Sequence, residues 1–334
     1  MKKISTKDKV LNILDTHKGI YYSGQELADT LDLSRTAVWK AINTLREEGY
    51  DIVGSTKLGY ALSASTDVLN HDAIIDMLND EAKTFISLEC EAKVDSTNLR
   101  VREKGLNGEK EGICIVAEEQ SAGRGRKGRS FYSPAATGLY LSILLRPSLK
   151  MEDAVLITTA AAVAGAIACE KTNDSLREND ILIKWVNDLY LNGHKISGIL
   201  TEANFSLETN GFDFAVMGIG FNLMPPSSGW PSDIKDRAGA LFDEEAPSGA
   251  RNKLTAEFLN EFVKIYKELP KINYLDEYRK RSMAIGRSVD VIAGDGSSKS
   301  AYVEGVNDRC ELIVKYDGES ETKTINSGEI SIRI

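Results

Sequence analysis

Apolar residues recur at helical spacing from the start of the chain, where Val10, Leu11, Ile13 and Leu14 predict a first helix. The run Ser23-Gly24-Gln25-Glu26 then has the form of a capping box, with Ser23 as the cap and Glu26 reaching back. It opens a short helix whose Leu27, Ala28 and Leu31 turn inward. After a turn of three or four residues, Ser34 can cap a second helix in which Val38, Ile42 and Leu45 share one face. Arg35, Thr36, Trp39, Lys40 and Asn43 are left outside, and Gly49 ends the helix. The following DIVGSTKLGYALS alternates as a hairpin does, with Gly54 to Gly59 at its tip. Two short helices at this spacing followed by a hairpin predict a winged helix-turn-helix over residues 1–65.

Past a linker-like SASTDV and a short helical pattern from Ala73 to Leu78, strands and helices alternate over residues 66–275. A strand-like EAKV meets a helix-like NLRVREKG at Asp95-Ser96-Thr97-Asn98, where Asp95 or Ser96 can serve as a helix cap. GICIVAEE and LYLSILLRP read as strands, and Asn192-Gly193 inside KWVNDLYLNGHKISGIL is a hairpin signal. The strand FAVMGIGFNL carries Gly218 and Gly220, and glycine in a strand marks close backbone approach. An amphipathic helix over Leu254 to Leu269 is assigned to packing. From Ser288 the pattern changes to short alternating runs between glycine and aspartate turns, which predicts a small barrel over residues 276–334. The whole is α+β in three parts. The most apolar run, Val155 to Cys169, is shorter than the roughly 20 residues of a bilayer span and contains threonines, so it reads as a buried helix.

Charge adds a division of labour. The 334 residues carry a net charge of −9, which argues against general adhesion to nucleic acid. Residues 1–65 nevertheless hold nine Lys/Arg against eight Asp/Glu, a net +1 that leaves −10 for the rest. A nucleic-acid contact therefore belongs to the N-terminal part. Four scattered cysteines without a C-x-x-C pair indicate neither a disulfide framework nor a zinc cage, and the three histidines are as dispersed. The basic N-terminus has no apolar run behind it, so it is not a signal peptide, and a reduced cytoplasm is the default.

The candidate chemistry lies in Gln120 to Arg129, QSAGRGRKGR. Gly123, Gly125 and Gly128 satisfy G-x-G-x-x-G, but that dinucleotide fingerprint needs a helix opening at its last glycine, and RSFYSPAATG is turn chemistry instead. What remains is a flexible loop whose Arg124, Arg126, Lys127 and Arg129 suit phosphate, or else a solvated basic loop. The second segment decides between them. GRGRKGR, then K-W-x-N-D from Lys184, then Lys195 before I-S-G-I-L resembles the biotin protein ligases. Residues 1–65 resemble the DNA-binding domain of the bifunctional members that also repress biotin genes, so the likeness covers essentially the whole chain.

That resemblance implies a catalytic domain of class II synthetase-like fold, an SH3-like barrel at the C-terminus, and biotin, ATP and Mg²⁺ as cofactors. The biotin carboxylate would attack the α-phosphorus of ATP, and an acceptor lysine on a biotin carboxyl carrier protein would then displace AMP. Ser96, Thr97, Asn98 and Gln120 would hold the ureido ring. Lys195 would meet the biotin carboxylate, Lys184 a phosphate, and the loop of Gly123, Arg124, Gly125, Arg126 and Arg129 would close over both, with Phe131 as an apolar wall where many relatives carry tryptophan. Asn187 and Asp188 would sit beside the triphosphate, where Asp188 would hold Mg²⁺ through water or orient the incoming amine, or else they are a turn pair at a strand end; no metal ligand is assigned. Gly218, Gly220 and Asn222 would fall by the adenylate, Gly198 would also bind cofactor, and Trp230 is a lid on adenine or part of an ordinary surface loop. Val186 stands where the family usually has proline, which removes a constraint on φ but no reacting group. In the DNA-binding domain, Arg35, Thr36, Lys40 and Asn43 would face the major groove and Lys57 a phosphate, while Trp39 is a DNA contact or an anchor against a neighbouring helix. A homodimer favoured by bound adenylate would occupy a palindromic operator. Two other functions fit parts of the pattern: a lipoate ligase, which shares the fold, and a non-enzymatic repressor that senses biotin.

Overall fold

The computed structural model describes residues 5–47, 50–55, 57–63, 66–135, 137–206, 211–244, 246–293, 296–326 and 329–332. They form two compact units, Met1–Asn70 with Ala246–Asn252, and His71–Glu245 with Lys253–Ile334.

The first unit is built as its periodicity predicts. Helices α1 (Thr6–Thr16), α2 (Gly24–Leu31) and α3 (Arg35–Glu47) precede an antiparallel hairpin of β1 (Ile52–Ser55) and β2 (Gly59–Leu62). The capping box of α2 is complete: Glu26 N donates to Ser23 Oγ at 3.1 Å and Ser23 N to Glu26 Oε2 at 2.7 Å. Ala37 N donates to Ser34 Oγ at 3.2 Å, so Ser34 opens α3. Gly49 lies outside the described residues. Val10, Leu14, Leu27, Val38, Ile42 and Leu45 meet in one core. In the same unit the carboxylate of Asp67 accepts from the backbone N–H groups of Gly249 and Arg251, at 3.0 and 3.1 Å.

The second unit opens with α4 (His71–Met77) and α5 (Asp80–Phe85), then lays down a seven-stranded sheet. Its strands in chain order are β3 (Ser87–Val94), β4 (Ile113–Gln120), β5 (Gly138–Leu145), β6 (Leu182–Lys184), β7 (Asp188–Leu191), β8 (His194–Ser206) and β9 (Gly211–Asn222). In space they run β3-β4-β5-β9-β8-β7-β6, with only the β3/β4 pair parallel. Helix α6 (Thr97–Leu106) covers β4, β5 and β9 and buries Val101 against Ile115, Leu144 and Phe214. On β6 to β9 lies α7 (Val155–Thr172), apolar on every side and mostly buried up to its last turn, which carries Glu170 and an exposed Lys171. The stretch Met151–Thr172 is long and apolar enough to cross a membrane, yet most of it is buried inside this unit, as a core helix is.

Helices α8 (Ala250–Glu268) and α9 (Leu275–Lys280) lead to a five-stranded antiparallel sheet, β10 (Ser288–Ile292), β11 (Ser298–Val306), β12 (Leu312–Tyr316), β13 (Thr322–Ile325) and β14 (Glu329–Ile332), in the order β13-β12-β11-β10-β14. The segment between α9 and β10 does more than connect. Ile183 N donates to Arg281 O at 2.7 Å and Met283 N to Ile183 O at 2.9 Å, so residues 281–283 run beside the edge strand β6. Arg281 is itself 1% exposed, and its guanidinium forks onto Glu170 of α7 while Nε donates to Glu277 at 2.9 Å. The turn after β6 is held from the same side: Trp185 Nε1 donates to Cys310 O at 2.9 Å and Tyr278 OH to Val186 O at 3.3 Å. The Trp185–Val186 peptide is cis.

Candidate active site

Four segments converge at one end of the seven-stranded sheet, and the arginine run is the first. It is not the open loop that its glycines suggest. Phe131 N donates to Gly123 O at 3.0 Å and Gly125 N to Arg129 O at 2.7 Å, closing a small hairpin around a turn over Arg126–Gly128. Gly123 is required for contact rather than for freedom, since a Cβ there would lie 2.5 Å from both Phe131 O and Ser133 Oγ. As expected, no helix follows, and the chain enters β5 instead. The hairpin is tied inward by charge: Arg126 Nη1 donates to Asn187 Oδ1 at 2.8 Å, and Arg124 Nη1 lies 3.1 Å from Glu202 Oε1. Lys127 and Arg129 remain exposed.

The second segment is the β6–β7 turn with the β7–β8 hairpin. Lys184 ends β6 with its ammonium 5.8 Å from the ring centre of Tyr190. Burial, and then the Asp188 carboxylate, push the Tyr190 phenol up to about 12, so the ring stays neutral beside that cation. Asn187 is pinned by Nδ2 to Ile199 O at 2.9 Å, which leaves its Oδ1 to Arg126. Asn192 and Gly193 both take positive φ, 51° and 79°, the turn that Asn-Gly favours. Beyond it Lys195 turns back to Asp188, Nζ to Oδ1 at 2.6 Å. Sequence reasoning gave these two residues separate partners; the hairpin pairs Asp188 with Gly198 and Lys195 with Tyr190, and the lysine side chain reaches diagonally to the carboxylate.

The third segment carries the proposed ring-binding set. Ser96 occupies the cap position of α6 without a side-chain cap bond, so a capping role for its side chain is not met. Asp95 Oδ1 instead accepts from Ser96 N at 2.7 Å and Arg100 Nε at 2.9 Å, and the backbone N–H, followed by Arg100, holds its carboxyl below the usual range. Thr97 N donates to Gln120 Oε1 at 2.9 Å, and Gln120 Nε2 donates to Ser133 Oγ at 3.1 Å. Asn98 Oδ1 accepts from Ser142 Oγ at 2.6 Å. The glycines of β9 do allow close approach: a Cβ on Gly218 would fall 1.8 Å from Asn98 Oδ1, and one on Gly220 would fall 2.7 Å from the Phe131 ring. Gly198 gives the same clearance to the Lys195 side chain and Phe131, both at 3.2 Å.

The fourth segment follows β9. Asn222 Nδ2 donates to Gly239 O at 2.9 Å, and Lys195 exchanges backbone bonds with Arg237 and Gly239. Trp230 packs edge-on to Tyr132 at 6.5 Å. Together these segments enclose a cleft of about 250 Å³ lined by Arg124, Arg126, Lys184, Asp188, Lys195 and Trp230 among others. A smaller hollow of about 20 Å³, lined by Ser96, Thr97, Asn98 and Gln120, adjoins it through shared walls at Arg124, Phe131, Gly198 and Leu200. Gly125, Arg129, Asn187 and Asn222 also line the cleft, and Gly220 the hollow, whereas Gly123 lines neither and acts through its hairpin. Sequence reasoning missed Ser142 and Glu202, which reach the site by strand pairing, Ser133 and Arg237, which reach it from loops, and Ile330 of the C-terminal sheet; none has a local motif. Among the described residues no group of three His, Cys, Asp or Glu side chains is placed to hold a metal ion. The cysteines are free thiols, and burial pushes that of Cys90 up to about 12.

In the first unit, Arg35, Thr36, Trp39 and Lys40 stand exposed along α3, Asn43 is half-buried on the same helix, and Lys57 is exposed at the hairpin tip. Trp39 is 55% exposed, so it is not an anchor within its own unit.

Comparison with known proteins adds to this geometry. Residues 91–222 match the biotin/lipoate A/B protein ligase family, residues 6–61 an HTH domain, and residues 284–333 the biotin protein ligase C terminal domain. The bifunctional ligase/repressor BirA of Bacillus spizizenii is 33% identical over 248 residues, 74% of either chain. That of Escherichia coli is 29% identical over 318 residues, 94% of either chain. Among solved structures, the biotin protein ligase from Aquifex aeolicus in complex with biotin and ATP superposes with a TM-score of 0.60 at 26% identity, covering 74% of this chain and 98% of that one. With the arginine hairpin, the K-W-x-N-D turn and an N-terminal helix-turn-helix all in place, the chain belongs to the biotin protein ligase family, in the branch of the bifunctional ligase/repressors.

Proposed function

We propose that this protein is an ATP-dependent biotin ligase that also acts as a biotin-responsive repressor. The observation that carries the reading is the run of cations, Arg124, Arg126, Lys184 and Lys195, along one cleft that adjoins the hollow of Ser96, Thr97, Asn98 and Gln120. Activation joins two anions, so cations fixed in place before reaction supply most of the stabilisation. The ring sits among the polar groups of the hollow and its carboxylate reaches Lys195, which exchanges Asp188 for it. That carboxylate attacks the α-phosphorus, pyrophosphate leaves, and Arg126, Lys184 and Arg129 balance charge on the phosphates. Asp188 is the carboxylate that would hold Mg²⁺ beside the phosphates, where the ion would offset their charge. In the second half, an acceptor lysine on a biotin carboxyl carrier protein attacks the anhydride carbonyl and AMP leaves. Asp188, freed from Lys195, orients the amine. Trp230 covers the base, and Asn222 and Gly220 shape the wall beside it. Domain limits of 1–65, 66–275 and 276–334 and a cytoplasmic location belong to the same reading.

Incubation with MgATP, an acceptor domain and either biotin or lipoate tests the reaction: labelled acceptor lysine is expected with biotin alone, and labelling with lipoate alone would reject it. Lys195→Ala should slow single-turnover adenylation and weaken biotin by about 1.5–3 kcal/mol, the range for a hydrogen bond to a charged group. Unchanged adenylation would remove Lys195 from the mechanism.

Repression follows from α3, whose Arg35, Thr36, Trp39 and Lys40 are presented to solvent as a major-groove reader requires, with Lys57 on the hairpin for a phosphate. A domain of net charge +1 neutralises few phosphates, so two copies on a palindromic site are needed. The homodimer is the adenylate-bound one. Coupling of this kind is reciprocal, so adenylate and operator DNA should tighten one another by about 1–3 kcal/mol. Operator titration at fixed salt, with biotin plus ATP, with biotin alone and with neither, should show that difference. Identical affinity in all three states would show that the helix-turn-helix is not biotin-responsive.

A further inference from the structure

The carboxylate of Glu202, on β8, meets two parts of the site at once. Its Oε2 accepts from Asn98 Nδ2 at 3.0 Å, while Oε1 lies 3.1 Å from Arg124 Nη1. Asn98 is 5% exposed and its amide is almost fully committed. The Nδ2 hydrogens go to Glu202 and to Leu200 O, the latter at 3.4 Å, and Oδ1 takes the Ser142 hydroxyl at 2.6 Å. A backbone carbonyl and an ionised carboxylate can only accept, so together they determine which end of the amide faces them. The close pass of Gly218 keeps that carbonyl in place. One lone pair on Oδ1 is then all that Asn98 can offer to a ligand in the hollow.

We propose that Glu202 is a positioning residue that makes the hollow selective for a ring N–H donor. It holds Asn98 as an acceptor and pins Arg124 at the shared mouth of hollow and cleft. The ligand class is a cyclic urea or amide whose N–H points at Asn98. This rests on the biotin reading, because a ureido ring supplies such N–H groups. A buried acceptor with its complement missing is costly, so a ring with oxygen in place of that N–H is rejected by lone-pair repulsion as well as by the lost bond.

The test uses the full-length protein without nucleotide and titrates biotin beside its two cyclic carbamate analogues, in which one or the other ring N–H is replaced by oxygen. The parent should prefer biotin to at least one carbamate by about 10²–10⁴-fold. In Glu202→Ala the Asn98 amide can turn over and donate to the ring oxygen, so that preference should fall at least about tenfold. Glu202→Gln, whose Oε1 still accepts from Asn98, should keep most of the preference. It removes the negative charge that holds Arg124, however, so trypsin should cut after Arg124 several-fold faster. A parent that binds biotin without preference, or an alanine variant with the parent's preference, overturns the inference. If Glu202→Ala does not fold by circular dichroism, the glutamine variant decides: faster cleavage with retained preference supports the role, and unchanged cleavage overturns it. A parent that binds neither biotin nor the carbamates would instead remove the biotin reading.

Discussion

Replacing Arg281 by alanine should destabilise the second unit by about 3–5 kcal/mol, because it strips the partner from a charge that cannot reach water. Glu170 is 9% exposed in its side chain and receives both terminal nitrogens of the guanidinium, while Glu277 takes Nε. Without Arg281 the Glu170 carboxylate is left with the single backbone N–H of Ile181, at 3.1 Å. The penalty is for leaving the charge behind, more than for losing the pair. Arg281→Met with Glu170→Met, an apolar pair of similar volume, should therefore recover most of the loss, whereas Arg281→Met alone should not. Urea unfolding of the three variants measures this, and a loss under about 1 kcal/mol in Arg281→Ala would show that Glu170 finds solvent. A second consequence separates structure from function. Residues 281–283 run beside β6, so slackening them should lower adenylation at temperatures where Arg281→Ala is still folded.

Gly218→Ala should weaken biotin by about 2–4 kcal/mol and destabilise the second unit as well. An added Cβ would fall 1.8 Å from Asn98 Oδ1 and 3.1 Å from Ser142 Oγ, and neither neighbour can retreat, since Asn98 is bonded on both ends and Ser142 lies within β5. Overpacking of this kind costs about 1–3 kcal/mol, and breaking the Ser142–Asn98 bond adds a buried unsatisfied group of about the same size. Isothermal titration with biotin gives the affinity and a thermal melt the stability. Parent-like biotin affinity in a folded Gly218→Ala protein would mean that Asn98 does not contact the ring.

The first unit was legible almost residue by residue, because its information is local. A capping box, a 3.6-residue period and a glycine-rich tip are complete within a few residues of each other, and Ser23, Val38 and Gly59 take the places that those patterns give them. In the second unit the hairpin at Asn192-Gly193 and the close approach of Gly218 and Gly220 were likewise legible from short-range rules. What escaped the sequence was pairing at long range. Asp188 and Lys195 are seven positions apart, yet their mutual contact depends on a register shift between β7 and β8. Glu202 reaches Asn98 across 104 positions, and nothing around it differs from an ordinary exposed strand residue. The hairpin in the arginine run was illegible for a related reason, since its three glycines permit many backbone paths and are silent on the hydrogen bonds that select one.

The bond from Trp185 Nε1 to Cys310 O bears on how such proteins can be recombined. The boundary at which the C-terminal module begins in sequence comparisons, residue 284, cuts between the strip beside β6 and the loop that receives the indole. A chimera that exchanges everything after that point keeps Arg281 but takes its carbonyl for Trp185 from a foreign β11–β12 turn. Because the acceptor is a main-chain oxygen, the length of that turn decides whether it reaches the indole, while its sequence matters at Cys310 itself, where φ is 58° and the buried Sγ accepts from Thr159 Oγ1 at 3.4 Å. Donors whose turn places a carbonyl at the same height should graft with the turn after Lys184 undisturbed, and those with an inserted or deleted residue should not. The tolerance of this ligase to domain exchange would then be read from loop length in the partner.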